Sequence, residues 1–242
     1  MNGELWVKYY YEIPNCQMNS EDFKKKAAQK AIEKLRGKKI VGIGTGSTVK
    51  HLIDEIGADK THFHDTLFVP TSNDSEKKLI QYGLKVTHEF AGFIDITVDG
   101  CDEIDPEGRL IKGGGGALTR EKMVAYNSRE VVIIADSTKS VDKLGDFGVP
   151  VEILPFLWKN TVDRLSEFFK TDIKGNPEAK TDNGNMVAIA RTGKMDNPEK
   201  VFNSIKNIPG VVEVGIFLNL TNSSIICGPG GCSIKDYPLN KR

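Results

Sequence analysis

The sequence predicts an α/β fold: a doubly wound, mostly parallel sheet joined to a second, smaller α+β domain. Three observations predict it. Short β-branched runs at 40–43, 67–69, 96–98 and 131–135 alternate with segments whose apolar residues recur at helical spacing, the pattern of parallel strands joined by crossover helices. Loops rich in glycine, hydroxyl groups or acids follow the ends of these runs, where open α/β sheets hold their ligands. After Pro150 the pattern changes to a compact βαβαβ set.

Ser20, with Glu21 and Asp22 behind it, opens a first helix, because acids in a first turn suit the helix dipole. Phe23, Ala27, Ala28, Ile32 and Leu35 mark its apolar face and Gly37 its end. Ile40, Val41 and Ile43 form a strand that runs into Gly44-Thr45-Gly46-Ser47-Thr48, and Val49, Leu52, Ile53 and Ile56 mark the next helix. Leu67 to Val69 is a buried strand, followed by a polar helix from about Asn73 to Tyr82 and an extended stretch near Leu84 to Val86. Ile96 to Val98 is a strand delivering Asp99 to its end; a helix begins after Gly116, and Val131 to Ala135 is again a strand.

Past Pro150, Val151 to Leu154 and Met186 to Ala190 read as strands, as does Val211 to Leu218, with helices over Phe156 to Phe169 and Pro198 to Ile205. This set suits a ferredoxin-like split α+β domain. The polar segment Thr171 to Gly184 reads as turns, and Ser224 to Cys227 as a strand that rejoins the first sheet. The expected organisation is a tail over 1–19, one domain from 20–149 and 222–242, and a small domain over 150–221.

Lys+Arg and Asp+Glu both number 33 in 242 residues. A balanced chain is not expected to bind nucleic acid or an anionic membrane, although a small anion needs only a local basic site. No apolar run approaches the ~20 residues of a membrane span. The first 20 residues, which include Glu4 and Glu12, lack a signal-peptide core, so the expected compartment is the cytoplasm. Cys16, Cys101, Cys227 and Cys232 are too few and scattered for a disulfide framework. Cys227 and Cys232 flank a Gly-Pro-Gly-Gly turn, and His62 and His64 have no cysteine or carboxylate cluster at ligand spacing, so no metal site is expected.

The chemistry concentrates between Asp99 and Lys122. Asp99, Asp102 and Glu103 come first, then Lys112, then Gly113 to Gly116, then Glu121 in the first turns of a helix. Ordinary turns also contain Asp-Gly and Gly-Gly. Here the acids stand at a strand end, and four consecutive glycines cost backbone entropy unless the chain must approach a ligand closely. Acids, an ammonium and free backbone N–H groups in one loop suit proton transfer beside a developing oxyanion.

Gly44 to Thr48 is a second site, a strand–glycine loop–helix junction of the kind that cradles phosphate. A P-loop would need a Gly-Lys-Ser/Thr end, and none is present. A dinucleotide fold would need a small residue in place of Val49 and an acid where the next strand instead ends in Pro70-Thr71-Ser72. That leaves a small phosphorylated ligand held by Thr45, Gly46, Ser47 and Thr48. Lys139, just past the strand end at Asp136, is placed to reach the same crevice, whereas Lys24, Lys25 and Lys26 read as a solvated helix face.

From about residue 20 onward these motifs resemble the type A ribose-5-phosphate isomerase family. They are Gly-Ile-Gly-Thr-Gly-Ser-Thr (42–48), Asp-Gly-Cys-Asp-Glu (99–103) and Lys-Gly-Gly-Gly-Gly-Ala-Leu-Thr-Arg-Glu-Lys (112–122). Residues 136–139, 150–153, 181–185 and 208–212 continue the match in order. The resemblance implies a Rossmann-like domain with a smaller α+β domain and a metal-free, cofactor-free aldose–ketose isomerase. It also implies a sugar phosphate substrate, a place in the non-oxidative pentose phosphate branch, and a homodimer or homotetramer.

It further implies Glu121 as the proton-shuttling base, with Asp99 and Asp102 touching the sugar and helping to open its ring. Lys112 with Gly113, Gly114 and Gly115 would bind the oxyanion, alongside Gly100 and Cys101, while Thr45 to Thr48 cradle substrate and Lys139 makes a further contact. Cys101 stands where the family typically has alanine, which would put a thiol in the site. Two other classes bear comparison. A sugar-phosphate sensor would not need Glu121, and an acyl transferase using a glutamate nucleophile would need an adenine-binding feature that the sequence lacks.

Overall fold

Three loops meet at one end of the central strands because the strands that carry them are parallel neighbours. The computed structural model describes residues 19–169 and 180–238. All but Asn19 of the expected tail over 1–19, and most of the turn-rich segment 171–184, lie outside the described residues. In chain order the first half runs α1 (Ser20–Leu35), β1 (Ile40–Ile43), α2 (Ser47–Ala58), β2 (Leu67–Pro70), α3 (Asn73–Gln81), β3 (Lys85–Val86), β4 (Ile96–Asp99), β5 (Glu103–Ile104), β6 (Leu110–Ile111) and α4 (Leu118–Tyr126). The second half runs β7 (Val131–Asp136), β8 (Val149–Ile153), α5 (Trp158–Phe169), β9 (Met186–Ala190), α6 (Pro198–Lys206), β10 (Val211–Val214), β11 (Ile216–Phe217), β12 (Ser223–Gly228) and β13 (Gly231–Asp236).

The seven-stranded sheet has the order β13-β12-β7-β4-β1-β2-β3. Every neighbouring pair is parallel except the β12–β13 hairpin. From β1 the chain steps outward to β2 and β3, then returns across β1 to β4 and proceeds outward to β7. The direction therefore reverses between β1 and β4, the crevice position of doubly wound sheets. Under this sheet Ala27, Ala28 and Ala31 of α1 pack against Val49, Leu52 and Ile56 of α2 and against Val132 and Ile134 of β7, all fully buried. α1 starts at Ser20, as the sequence suggests. Asn19 is the cap, its side chain accepting the Asp22 N–H while the Asp22 carboxylate accepts the Asn19 N–H, a reciprocal arrangement that satisfies two free donors.

The smaller sheet has β8 between β10 and β9, both antiparallel to it. Thus β9 and β10 run parallel with α6 between them, a split βαβ unit as expected. The expected strand Val211 to Leu218 is in fact two. Gly215 breaks it because a Cβ there would overlap the carbonyl oxygens of Lys112 and Pro150. Its second half, β11, leaves the small sheet to pair with β6, which also pairs with β5. The edge strand β13 also goes beyond the sequence expectation. It sets Cys232 opposite Cys227 on β12, and the two form a disulfide with Cα atoms 4.0 Å apart.

Candidate active site

Parallel pairing of β1 with β4, and of β4 with β7, places the loops after Ile43, Asp99 and Asp136 side by side. The loop after β1 lies against the end of β4, where the Gly44 N–H donates to the Val98 carbonyl at 3.0 Å. Glycine is required at 44, because a Cβ would overlap the Asp99 carboxylate. At Gly46 the backbone takes φ 113, and no side chain caps the start of α2. The first N–H groups of that helix are therefore open toward the cleft, with the positive end of its dipole behind them.

Lys112 arrives from the opposite side on the short β5–β6 hairpin, its N–H donating to Gly215 at 2.9 Å. Its ammonium lies 3.1 Å from Asp99 Oδ2 and 3.2 Å from Glu121 Oε1, and donates to the Gly100 carbonyl at 2.6 Å. All three ionisable residues are buried, with 2–4% of their surface exposed. Gly113 turns the chain at φ 101, a conformation that side chains disfavour, and delivers Gly114, whose N–H donates to Asp102 Oδ2 at 2.9 Å. Glu121 sits in the first turn of α4.

These residues line a cleft of about 120 Å³. Its wall contains Thr45, Gly46, Ser47, Thr48, Gly100, Cys101, Asp102, Lys112, Gly113, Gly114, Gly115, Glu121 and Lys139. Asp99 stands behind that wall. Its Oδ1 accepts the N–H groups of Thr45 and Gly100 at 3.1 and 2.7 Å while Oδ2 faces Lys112. Glu103 turns away altogether, accepting the N–H groups of Gly145 and Phe147 at 2.6 and 2.5 Å. Ala117 joins the wall without any chemical signal in its side chain that would have marked it. Lys139 rides on a 3-10 turn, Ser137–Lys139, which Asp136 caps through the Thr138 N–H at 3.0 Å.

Two carboxylates share one ammonium, so burial decides the electrostatics. It raises the proton affinity of Asp99 and Glu121, against the pull of Lys112. Asp99 has two backbone donors as well as the ammonium. Glu121 has the ammonium on Oε1 only, while its Oε2 is buried without a hydrogen-bond partner. Glu121 is accordingly pushed up to about 8. Despite its burial, Lys112 is held above the ordinary lysine range by Asp99, Glu121 and Asp102. Burial pushes the Cys101 thiol up to about 12, which leaves almost no thiolate at neutral pH.

A family model described as ribose 5-phosphate isomerase A (phosphoriboisomerase A) matches residues 67–231. Ribose-5-phosphate isomerase A of Thermoplasma acidophilum is 42% identical over 220 residues, covering 88% of this chain and 91% of that protein. The Bradyrhizobium diazoefficiens protein of the same name is 36% identical over 232 residues, with 90% and 96% covered. A solved D-ribose-5-phosphate isomerase in complex with phospho-erythronic acid superposes with a TM-score of 0.85 at 32% identity, over 90% of this chain and 100% of that one. The enzyme from Methanocaldococcus jannaschii superposes at 0.82 and 34% identity, over 89% and 99%.

Proposed function

The chain belongs to the ribose 5-phosphate isomerase A family and interconverts D-ribose 5-phosphate and D-ribulose 5-phosphate, and we propose that Glu121 is the base that moves the proton. In the aldose-to-ketose direction the base takes the C2 proton and returns it to C1. The electron pair released at C2 flows through an enediolate, and the O2 proton ends on O1. One observation carries the assignment: Glu121 lines the cleft with Oε1 held by Lys112, while its Oε2 is buried and unpartnered. A carboxylate with one free oxygen and a raised proton affinity is suited to accept a proton near neutral pH.

The remaining roles follow from position. Lys112 and the N–H groups of Gly113 and Gly115, the Gly114 N–H being engaged by Asp102, serve the oxygen on which charge builds, and stabilise that charge more than they stabilise bound substrate. The Thr45 to Thr48 loop, with the open start of α2, takes the phosphate, and Lys139 adds a cation on the same wall. Asp102 lines the cleft and is placed to open the sugar ring. Asp99 serves from behind by holding Lys112 and the Thr45 loop.

We infer a homo-oligomer from Leu154, Phe156 and Leu157, consecutive or nearly so and all exposed, which is an apolar run suited to a second copy. No helix among the described residues is long and apolar enough to cross a membrane. We place the enzyme in the cytoplasm because its phosphorylated substrate is charged and does not cross membranes unaided.

The decisive experiment is Glu121→Gln. Substrate binding should persist while turnover falls by roughly 10²–10⁴, and exchange of the transferable proton with deuterated water should stop. Near-normal isomerisation by this variant would remove Glu121 as the base and bring Asp102 forward.

A further inference from the structure

Glu152 is a fully buried residue of β8, outside the cleft, and its hydrogen-bond partners among the described residues are neutral. Its Oε1 accepts from Thr181 Oγ1 at 2.8 Å, Asn185 Nδ2 at 2.8 Å and Asn183 Nδ2 at 3.1 Å, and its Oε2 accepts from Thr119 Oγ1. A fully buried carboxyl whose partners among the described residues are neutral side chains is an expensive way to fill a core position. What it gains is direction, since four hydrogen bonds fix one turn and one helix relative to β8.

The helix is α4, and its start has no side-chain cap of its own: Ala117 occupies the cap position. External anchors replace the cap. Thr119 binds Glu152, and Arg120 binds the same turn through Asn183 Oδ1 at 2.8 Å and the Asp182 carbonyl at 2.9 Å. Arg120 also reaches Asn73 Oδ1 at 3.1 Å, while the Asn73 N–H donates to Asp182 Oδ2 at 2.8 Å. On the far side Lys122 donates to the Val214 and Ile216 carbonyls at 2.6 and 3.0 Å. Residues 119, 120 and 122 are all tied to the small sheet or its turns, and only Glu121 between them belongs to the cleft.

We propose that Glu152 is a positioning residue for proton transfer: through Thr119 it fixes the first turn of α4 and so the reach of the Glu121 carboxylate into the cleft. This rests on Glu121 being the base. A carboxylate misplaced by a fraction of an ångström loses near-attack geometry while phosphate binding, at the other end of the cleft, is untouched. The predicted signature is therefore a loss in kcat with little change in KM.

The test compares steady-state kinetics and pH profiles of Thr119→Val, Glu152→Ala and Glu152→Gln with those of wild type and Glu121→Gln. Thr119→Val and Glu152→Ala should lower kcat by about tenfold or more with KM within about twofold. They should also move the acid limb of kcat/KM to lower pH, as water reaches a loosened Glu121. Glu152→Gln keeps an oxygen for the three donors of the turn and should recover most of the rate. If Glu152→Ala fails to fold, Thr119→Val decides, because it cuts the link to α4 and leaves the turn bound. A folded Thr119→Val with wild-type kcat and an unmoved acid limb overturns the role of Glu152. Near-normal activity of Glu121→Gln instead overturns the assignment of the base, whatever the Glu152 variants do.

Discussion

Glu121 Oε1 lies 3.2 Å from Lys112 Nζ, while its other carboxylate oxygen is buried with no hydrogen-bond partner. The lysine orients the group without neutralising it fully, since Asp99 draws on the same ammonium at 3.1 Å. Burial, with the Asp99 charge nearby, outweighs the pull of that shared lysine and pushes the Glu121 carboxyl up to about 8.

That value sets the acid limb of activity. The free enzyme should show kcat/KM rising through a midpoint near 8, well above the substrate phosphate, which ionises near 6. A midpoint in the ordinary carboxylate range would mean that Glu121 is not the titrating base.

The same shift affects stability. Between the ordinary carboxylate value and about pH 8 the folded protein holds a proton that the unfolded chain has released, so stability falls as pH rises through this window. Glu121→Gln cannot ionise. Its melting temperature should match wild type near pH 4 and exceed it increasingly up to pH 8. A constant difference across that range would contradict the proton linkage.

Lys112→Met removes the one cation that Asp99 and Glu121 share. Breaking a buried pair in this way costs about 3–5 kcal/mol, and loss of an oxyanion donor should lower kcat by roughly 10²–10³. Because the base remains, slow exchange of the transferable proton with deuterated water should persist, whereas Glu121→Gln abolishes it. The acid limb should move above pH 8, since Lys112 is what lowers the proton affinity of Glu121. Complete loss of exchange in a folded Lys112→Met protein would mean that the lysine itself takes part in abstracting the proton.

Cys101 lines the cleft with its thiol pushed up to about 12. Iodoacetamide at pH 7.5 should leave activity intact on the timescale that inactivates enzymes with exposed thiolates. Rapid inactivation, prevented by substrate, would place a thiolate in the cleft after all.

How much of this was legible in the sequence depended on range. The strand into Asp99 and the glycines 113–116 declare themselves locally, through β-branched residues and a run that no ordinary loop needs. The β5 and β6 strands are two residues each and carry no periodicity. Gly215 breaks a run of apolar residues that reads as one strand, because the reason for the break is the backbone of Lys112 about 100 positions earlier. Asp99, Asp102 and Glu103 are alike in sequence, yet pairing sends one behind the cleft, one into its wall and one away to Gly145 and Phe147. Glu152 sits in a motif at 150–153 that sequence alone could match but not interpret, since its donors lie 29 to 33 residues away in either direction.

The phosphate cradle separates binding from chemistry most cleanly. Thr48 is buried at the start of α2 and Ser47 exposed beside it, and both line the cleft without capping the helix. Ser47→Ala with Thr48→Ala deletes two hydroxyl donors but leaves the backbone N–H groups and the helix dipole, so phosphate binding should weaken rather than vanish. Two hydrogen bonds to a charged group, at about 1.5–3 kcal/mol each, correspond to a rise in KM of roughly 10²–10⁴-fold. The slow reaction of unphosphorylated ribose makes no use of these hydroxyls and should change less than about twofold. The acid limb near pH 8 should stay in place, because neither residue touches Glu121. Equal damage to both substrates would show that Ser47 and Thr48 shape the loop rather than hold the phosphate, and the anion would then rest on Lys139 and the bare start of α2.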